Sequence, residues 1–256
     1  MMDRILDRIE EENRVRILYA CESGSRCWGF SSADSDYDLR YVYVHPAEWY
    51  TSIKTCGKRD TIEGVDIDTD IKLDASGWEL RKTLNLFDKG NPPLIEWLTS
   101  PVVYADRYRF RERLAGLLGD PARSIPHYYH MANNNYNRYI LGKSKVKWKK
   151  YLYVIRPLLC IMYIEEKGEF PPMDMEELLF SLPIHDKTRM TIFGLITAKR
   201  DGLELGECEK NDRLSGFCRG ALMTISPTTE YMKSDIVEDL DKLFREMVYG
   251  IACKGR

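Results

Sequence analysis

The chain has 256 residues, 44% of them hydrophobic and 30% charged, and a formal net charge of −2. That balance suits one large globular domain or two modest ones, and it excludes nucleic-acid binding by overall charge, which would then need a local basic patch. The first residues are acidic and amphipathic rather than a signal peptide, and no apolar run approaches the ~18–20 residues of a membrane span. The seven cysteines show no metal-ligand spacing, so free thiols in a reducing cytoplasm are expected.

In chain order, residues 2–13 read as an amphipathic helix with Ile5, Leu6 and Ile9 on one side. Val15 to Ala20 read as a first strand, which leads into a Gly24-Ser25 turn. Glycine there lets the backbone approach a phosphate, Ser25 adds a hydroxyl and an N–H, and Arg26 could help hold an anion. A polar turn over 31–35 precedes Asp36-Tyr37-Asp38, which opens a second strand running to Val44. Strand residues i and i+2 share a face, so Asp36 and Asp38 should stand side by side with Arg40 below them. Carboxylates so placed repel unless a divalent cation or a basic group lies between them.

Trp49 to Asp60 read as a loop, and residues 66–74 as a third strand with acids alternating on one side. If that strand lies beside Asp36 and Asp38, one acid completes a triad, and periodicity leaves Asp70 and Asp74 equally open. Ser76-Gly77-Trp78-Glu79 has the form of a capping box, with a helix to about Asp88, stopped by Gly90-Asn91-Pro92-Pro93.

After about residue 105 helical periodicity takes over, with a potential kink at Pro157 and a polar, Gly-containing loop over 201–217. The expected architecture is therefore α+β: strands and helices over 1–110, then an α-helical domain over 111–256. Arg138 to Arg156 carries seven basic residues and no acid, with tyrosines and a tryptophan between them. Lysines neutralise phosphates and aromatic rings stack on bases, so this run is a candidate phosphate-binding face. Leu141-Gly142-Lys143-Ser144 is not a Walker A, because Asn137 stands where its first glycine belongs and no strand precedes it. No Gly-x-Ser-x-Gly elbow or Gly-x-Gly-x-x-Gly fingerprint appears.

Gly24-Ser25 followed by Asp36-Tyr37-Asp38-Leu39 resembles the DNA polymerase beta-like nucleotidyltransferase superfamily. Further blocks resemble the predicted nucleotidyltransferases associated with RNA ligases, the RlaP or YcgL-like family: Gly24-Ser25-Arg26 with Trp28-Gly29-Phe30, Asp74 to Lys82, Asn91 to Leu98, and Lys149 to Leu159. The resemblance implies an α+β fold with a nucleotidyltransferase-type mixed β-sheet flanked by helices, followed by an α-helical domain, and transfer of a nucleoside monophosphate from an NTP to a hydroxyl, with pyrophosphate leaving. It implies that Asp36 and Asp38 bind Mg²⁺ or Mn²⁺, with Asp74 as the first choice and Asp70 the next for the third carboxylate. Gly24, Ser25 and Arg26 would hold the triphosphate, and Lys150, Tyr151 and Arg156 would reach the nucleotide phosphates from the helical domain. The expected acceptor is an RNA end, such as that of cleaved tRNA, with an RNA-ligase system as partner. The alternatives are a protein hydroxyl, as in toxin–antitoxin pairs, a small molecule such as an aminoglycoside, or a non-catalytic nucleic-acid-binding module.

Overall fold

The computed structural model describes residues 1–53, 60–64, 71–202, 206–226 and 235–252. In chain order these form α1 (Met2–Asn13), β1 (Arg16–Glu22), α2 (Gly24–Cys27), β2 (Tyr37–Val44), α3 (Ala47–Thr51), β3 (Thr61–Glu63) and β4 (Leu73–Glu79). Then come α4 (Leu80–Asp88), α5 (Pro92–Thr99), β5 (Val103–Asp106), α6 (Phe110–Ala115), α7 (Ile125–Tyr139), β6 (Lys145–Lys147) and α8 (Trp148–Lys167). The remainder is α9 (Met175–Phe180), α10 (Asp186–Arg200), β7 (Glu207–Glu209), α11 (Asp212–Thr224) and α12 (Val237–Ala252).

Two compact units result, and each is discontinuous in sequence. The first takes Met1–Gly24, Asp36–Gly119 and the segment carrying α12; the second takes Ser25–Ser35 and the stretch from Asp120 through α11. Helix α12, which the sequence groups with the helical half, thus packs in the first unit.

The first unit is built on a five-stranded sheet of order β3-β4-β2-β1-β5. β1 runs antiparallel to β2 and β5, while β4 is parallel to β2 and antiparallel to β3, so the sheet is mixed, as expected. Alternation along β2 sends Leu39, Tyr41 and Tyr43 to a layer with Ile5, Leu6 and Ile9 of α1, and Val42 and Val44 to a layer with Leu80, Leu84, Phe87 and Trp97. Leu240, Leu243, Met247 and Val248 of α12 close this second layer. A sheet covered on both faces needs apolar residues on both, which is why β1 is buried almost throughout.

β4 replaces a local signal. Ser76 does not cap a helix; it pairs with Arg40 of β2 and Glu63 of β3, and the strand continues to Glu79. Glu79 is itself the N-cap of α4, accepting from the Lys82 N–H at 3.2 Å. Two ladders of sheet hydrogen bonds outweigh one capping interaction. The part of the expected third strand before residue 71 lies outside the described residues, Asp70 included.

Gly77 faces the fully buried Tyr41 across the parallel register, and a Cβ there would meet the ring at 2.0 Å. Gly77→Ala should therefore cost about 1–3 kcal/mol in urea unfolding. The loss should shrink when Tyr41→Leu is combined with it in a double-mutant cycle. An unchanged midpoint for the single variant would show that the ring yields.

The second unit gathers around α8, whose buried side chains include Tyr151, Leu152, Ile155, Leu158 and Leu159. The helix runs unbroken through Pro157. Proline has no N–H for the carbonyl four residues back, and that carbonyl, of Tyr153, instead accepts from Asn135 Nδ2 on α7 at 3.3 Å. The stretch expected as a loop over 201–217 contains β7, paired with β6, and the start of α11, capped by Asn211. Among the described residues, no helix is long and apolar enough to cross a membrane.

Candidate active site

In the first unit the site is set by one register pair. β2 and β4 run parallel with Asp38 opposite Asp74, so the two carboxylates emerge at adjacent positions. Asp36 lies just before β2 and is exposed, while Asp38 is mostly covered and Asp74 open, its side chain 60% exposed. Arg40, two residues along β2, ties the pair together. Its Nη2 donates to Asp38 Oδ1 at 3.2 Å and to Asp74 Oδ2 at 2.8 Å. Its Nη1 donates to the carbonyls of Leu39 at 3.1 Å and Asp74 at 2.9 Å.

Gly24 ends the loop that leaves β1. Its φ is +61°, and an added Cβ would lie 2.0 Å from Asp38 Oδ2. The glycine is required twice, by the left-handed backbone and by the carboxylate against it. The Ser23 N–H donates to the Asp38 carbonyl at 2.9 Å, which fixes the loop to the strand.

Glu22, at the end of β1, is a residue that sequence reasoning missed. It is buried, its Oε1 accepts the Asp38 N–H at 2.8 Å, and its Oε2 accepts a short hydrogen bond from the Tyr104 hydroxyl. Its Oε1 therefore fixes the main chain of the very residue that carries the buried carboxylate. A lone acid closing an apolar strand was the signal available.

Burial pushes the Asp38 carboxyl above its usual range; the Arg40 guanidinium opposes this, and the negative charges of Asp74, Glu22 and Asp36 add to the rise. Such a cluster favours a cation. Oxygen donors from Asp36, Asp38 and Asp74 suit Mg²⁺ or Mn²⁺. A cationic nitrogen already sits between Asp38 and Asp74, so the pair fits a positive charge, although among the described residues no three acids, histidines or cysteines close on a common point.

The second unit contains the other expected phosphate ligands. Ser25 and Arg26 lie in α2, and Arg26 Nη2 donates to the Ser35 carbonyl at 2.8 Å, bracing the segment 25–35. The Arg156 guanidinium lies 4.8 Å from the Trp28 ring centre and donates to the Met173 carbonyl at 3.0 Å. Arg200 Nη2 donates to the Gly29 carbonyl at 2.7 Å. Tyr151 is fully buried, its hydroxyl 2.8 Å from Ser215 Oγ and accepting from the Asn211 N–H at 3.1 Å. Lys150 alone of the three expected α8 ligands is half-buried, its Nζ 4.2 Å from the Tyr139 ring centre and 4.8 Å from that of Tyr153. The basic run therefore divides. Lys150 joins an aromatic cluster, Tyr151 sits in the core, and Arg156 holds the segment that follows Gly24.

Over residues 1–246 the sequence matches the family RlaP, described as the RNA repair pathway DNA polymerase beta family. It is 42% identical over 257 residues to the uncharacterized protein YcgL of Bacillus subtilis (strain 168), covering 97% of this chain and 96% of that one. Among solved structures it is similar to the spectinomycin adenyltransferase AAD(9) from Enterococcus faecialis with ATP and spectinomycin, at a TM-score of 0.43 and 15% identity, over 87% of this chain and 97% of that one. A nucleotidyltransferase-like protein from Exiguobacterium sibiricum 255-15 is similar at a TM-score of 0.32 and 10% identity, over 98% of this chain and 89% of that one. Neither overlap is close enough to bear on substrate. With nearly its whole length matched and a relative at this identity, the chain belongs to the RNA repair pathway DNA polymerase beta family.

Proposed function

We propose that this protein is a divalent-cation-dependent nucleotidyltransferase that moves a nucleoside monophosphate from an NTP to a hydroxyl at an RNA end, releasing pyrophosphate. The observation that carries the reading is the Asp38–Asp74 register pair with Gly24 seated against Asp38. Asp36, Asp38 and Asp74 would hold Mg²⁺ or Mn²⁺, which would offset triphosphate charge and lower the pKa of the attacking hydroxyl. The chain's own residues do the rest. Gly24 and Ser25 offer backbone N–H groups to the triphosphate, and Arg26, next along the chain, supplies positive charge. Arg156 and Tyr151 keep the segment after Gly24 and helix α8 in place. The acceptor oxygen attacks the α-phosphorus, its bond to the β-phosphate oxygen breaks, and the hydroxyl proton passes to the carboxylate of Asp74, the most exposed of the pair. The family description, which names RNA repair, supports RNA as the acceptor in this reading, with an RNA ligase acting on the same end as the matching partner.

The test is incubation with each of the four α-labelled NTPs, Mg²⁺ or Mn²⁺, and RNAs with defined ends. Label should appear on RNA, should need the cation, and should vanish in Asp36→Ala while the melting curve stays near wild type. Full activity in Asp36→Ala would remove that residue from the chemistry. Label on a protein or small-molecule hydroxyl instead of RNA would replace the acceptor. No transfer to any acceptor, together with no cation-dependent stabilisation by NTP, would leave a binding module.

A further inference from the structure

Arg40 occupies an unusual place for a strand residue. Its guanidinium is held by four acceptors on β2 and β4: both carboxylates of the register pair and two main-chain carbonyls. Its side chain is only 19% exposed, so the charge is withheld from solvent and spent on Asp38 and Asp74. A surface pair of this kind contributes little, but a largely covered guanidinium shared by two carboxylates has a defined geometry and few alternatives.

The carboxylate oxygens it uses are those of the residues assigned above to the cation. Asp38 Oδ1 faces Arg40, while Oδ2 is turned toward Gly24. A divalent ion that takes Asp38 and Asp74 together therefore binds carboxylates that already carry the Arg40 guanidinium, and the two positive charges oppose each other.

We propose that Arg40 is the resident counter-cation of the Asp38–Asp74 pair, holding the two carboxylates in place before the metal arrives and competing with the metal for them. The inference rests on the reading of Asp38 and Asp74 as metal ligands. It makes cation binding conditional. Metal alone has to oppose Arg40, whereas metal arriving with a nucleotide triphosphate brings anionic oxygens that the released guanidinium can meet. Arg40 is thus a positioning residue that ties tight metal binding to the presence of the nucleotide.

The experiment measures Mn²⁺ binding to the full-length protein by electron paramagnetic resonance, without nucleotide, for wild type, Arg40→Met and Arg40→Lys. Removing one counter-charge from a partly covered pair should tighten Mn²⁺ binding by about fivefold to tenfold in Arg40→Met. Without metal that variant should melt below wild type, and Mn²⁺ should raise its melting temperature by more than it raises the wild type's. Arg40→Lys, which keeps the charge but cannot span both carboxylates, should fall between, and it serves alone if Arg40→Met does not fold. Equal or weaker Mn²⁺ binding in the variants overturns the competition and leaves the metal reading standing. Absence of Mn²⁺ binding in every form, with Asp38→Asn as the control, overturns both.

Discussion

Asp38→Asn is expected to lower nucleotidyl transfer by at least about 10³-fold and yet to melt at or above the wild-type temperature at neutral pH. The two effects have one cause. Burial first, and the nearby charges of Asp74, Glu22 and Asp36 second, raise the folded-state pKa of Asp38 in spite of Arg40. An acid whose pKa is raised on folding contributes stability below its unfolded pKa and loses it as pH climbs through the folded one. At pH 7 the ionised carboxylate is therefore a burden on the fold, and an amide of the same shape removes it. Arg40 keeps its bonds to Asp74 in the variant. Melting curves of both proteins between pH 4 and pH 8 (set by ordinary carboxylate titration) should show the gap widening as pH rises. Comparable transfer activity in the variant would dismiss Asp38 from the chemistry, and a variant less stable at every pH would show that the carboxylate supports the fold.

Gly24→Ala should be nearly as damaging by a different route. The backbone there has φ +61°, and the new methyl group would sit 2.0 Å from Asp38 Oδ2. The conformation alone costs about 1–3 kcal/mol for a residue with a side chain. Relief of the clash must move either the loop or the carboxylate, and a shift of about 1 Å at a reacting centre costs on the order of 10²-fold in rate. Denaturant unfolding and kcat/KM should both fall. In an Asp38→Ala background the stability loss should drop to the backbone part, because the clash is gone. An equal loss in both backgrounds would mean that the methyl group finds room.

The sequence made the centre of this protein legible and left its edges open. The glycine turn and the strand from Tyr37 to Val44 rest on local signals that the sheet reinforces, while of the strand expected over 66–74 only Leu73 and Asp74 lie in β4. Asp70 lies outside the described residues, and the position of Asp74 was not a local matter. It depends on the parallel register of β2 and β4, which pairs Asp38 with Asp74 across a long crossover that no periodicity encodes. Ser76 to Glu79 misled for the same reason, since sheet partners on both sides took the residues that a helix start would have used. In the basic run, the family resemblance grouped Lys150, Tyr151 and Arg156, whereas the 3.6-residue period of α8 turns Tyr151 and Arg156 inward. Glu22 gave one local signal, an acid closing an apolar strand, but its role appears only in what it bonds.

The interleaving of the two units fixes an order of events in synthesis. The sheet that carries Asp38 and Asp74 is made early, but the layer over Leu80, Leu84 and Phe87 is closed by Leu240, Leu243 and Met247 of α12, which leave the ribosome long afterward. Until then the half-covered sheet exposes apolar residues and invites chaperones. The segment after Gly24 likewise waits for Trp28 to receive Arg156, and for Gly29 to receive Arg200. A nascent chain stopped between β4 and α12 holds both carboxylates without the residues that close the layer over Leu80, Leu84 and Phe87. A fragment released before that helix therefore lacks the residues that close the apolar layer of the sheet carrying Asp38 and Asp74.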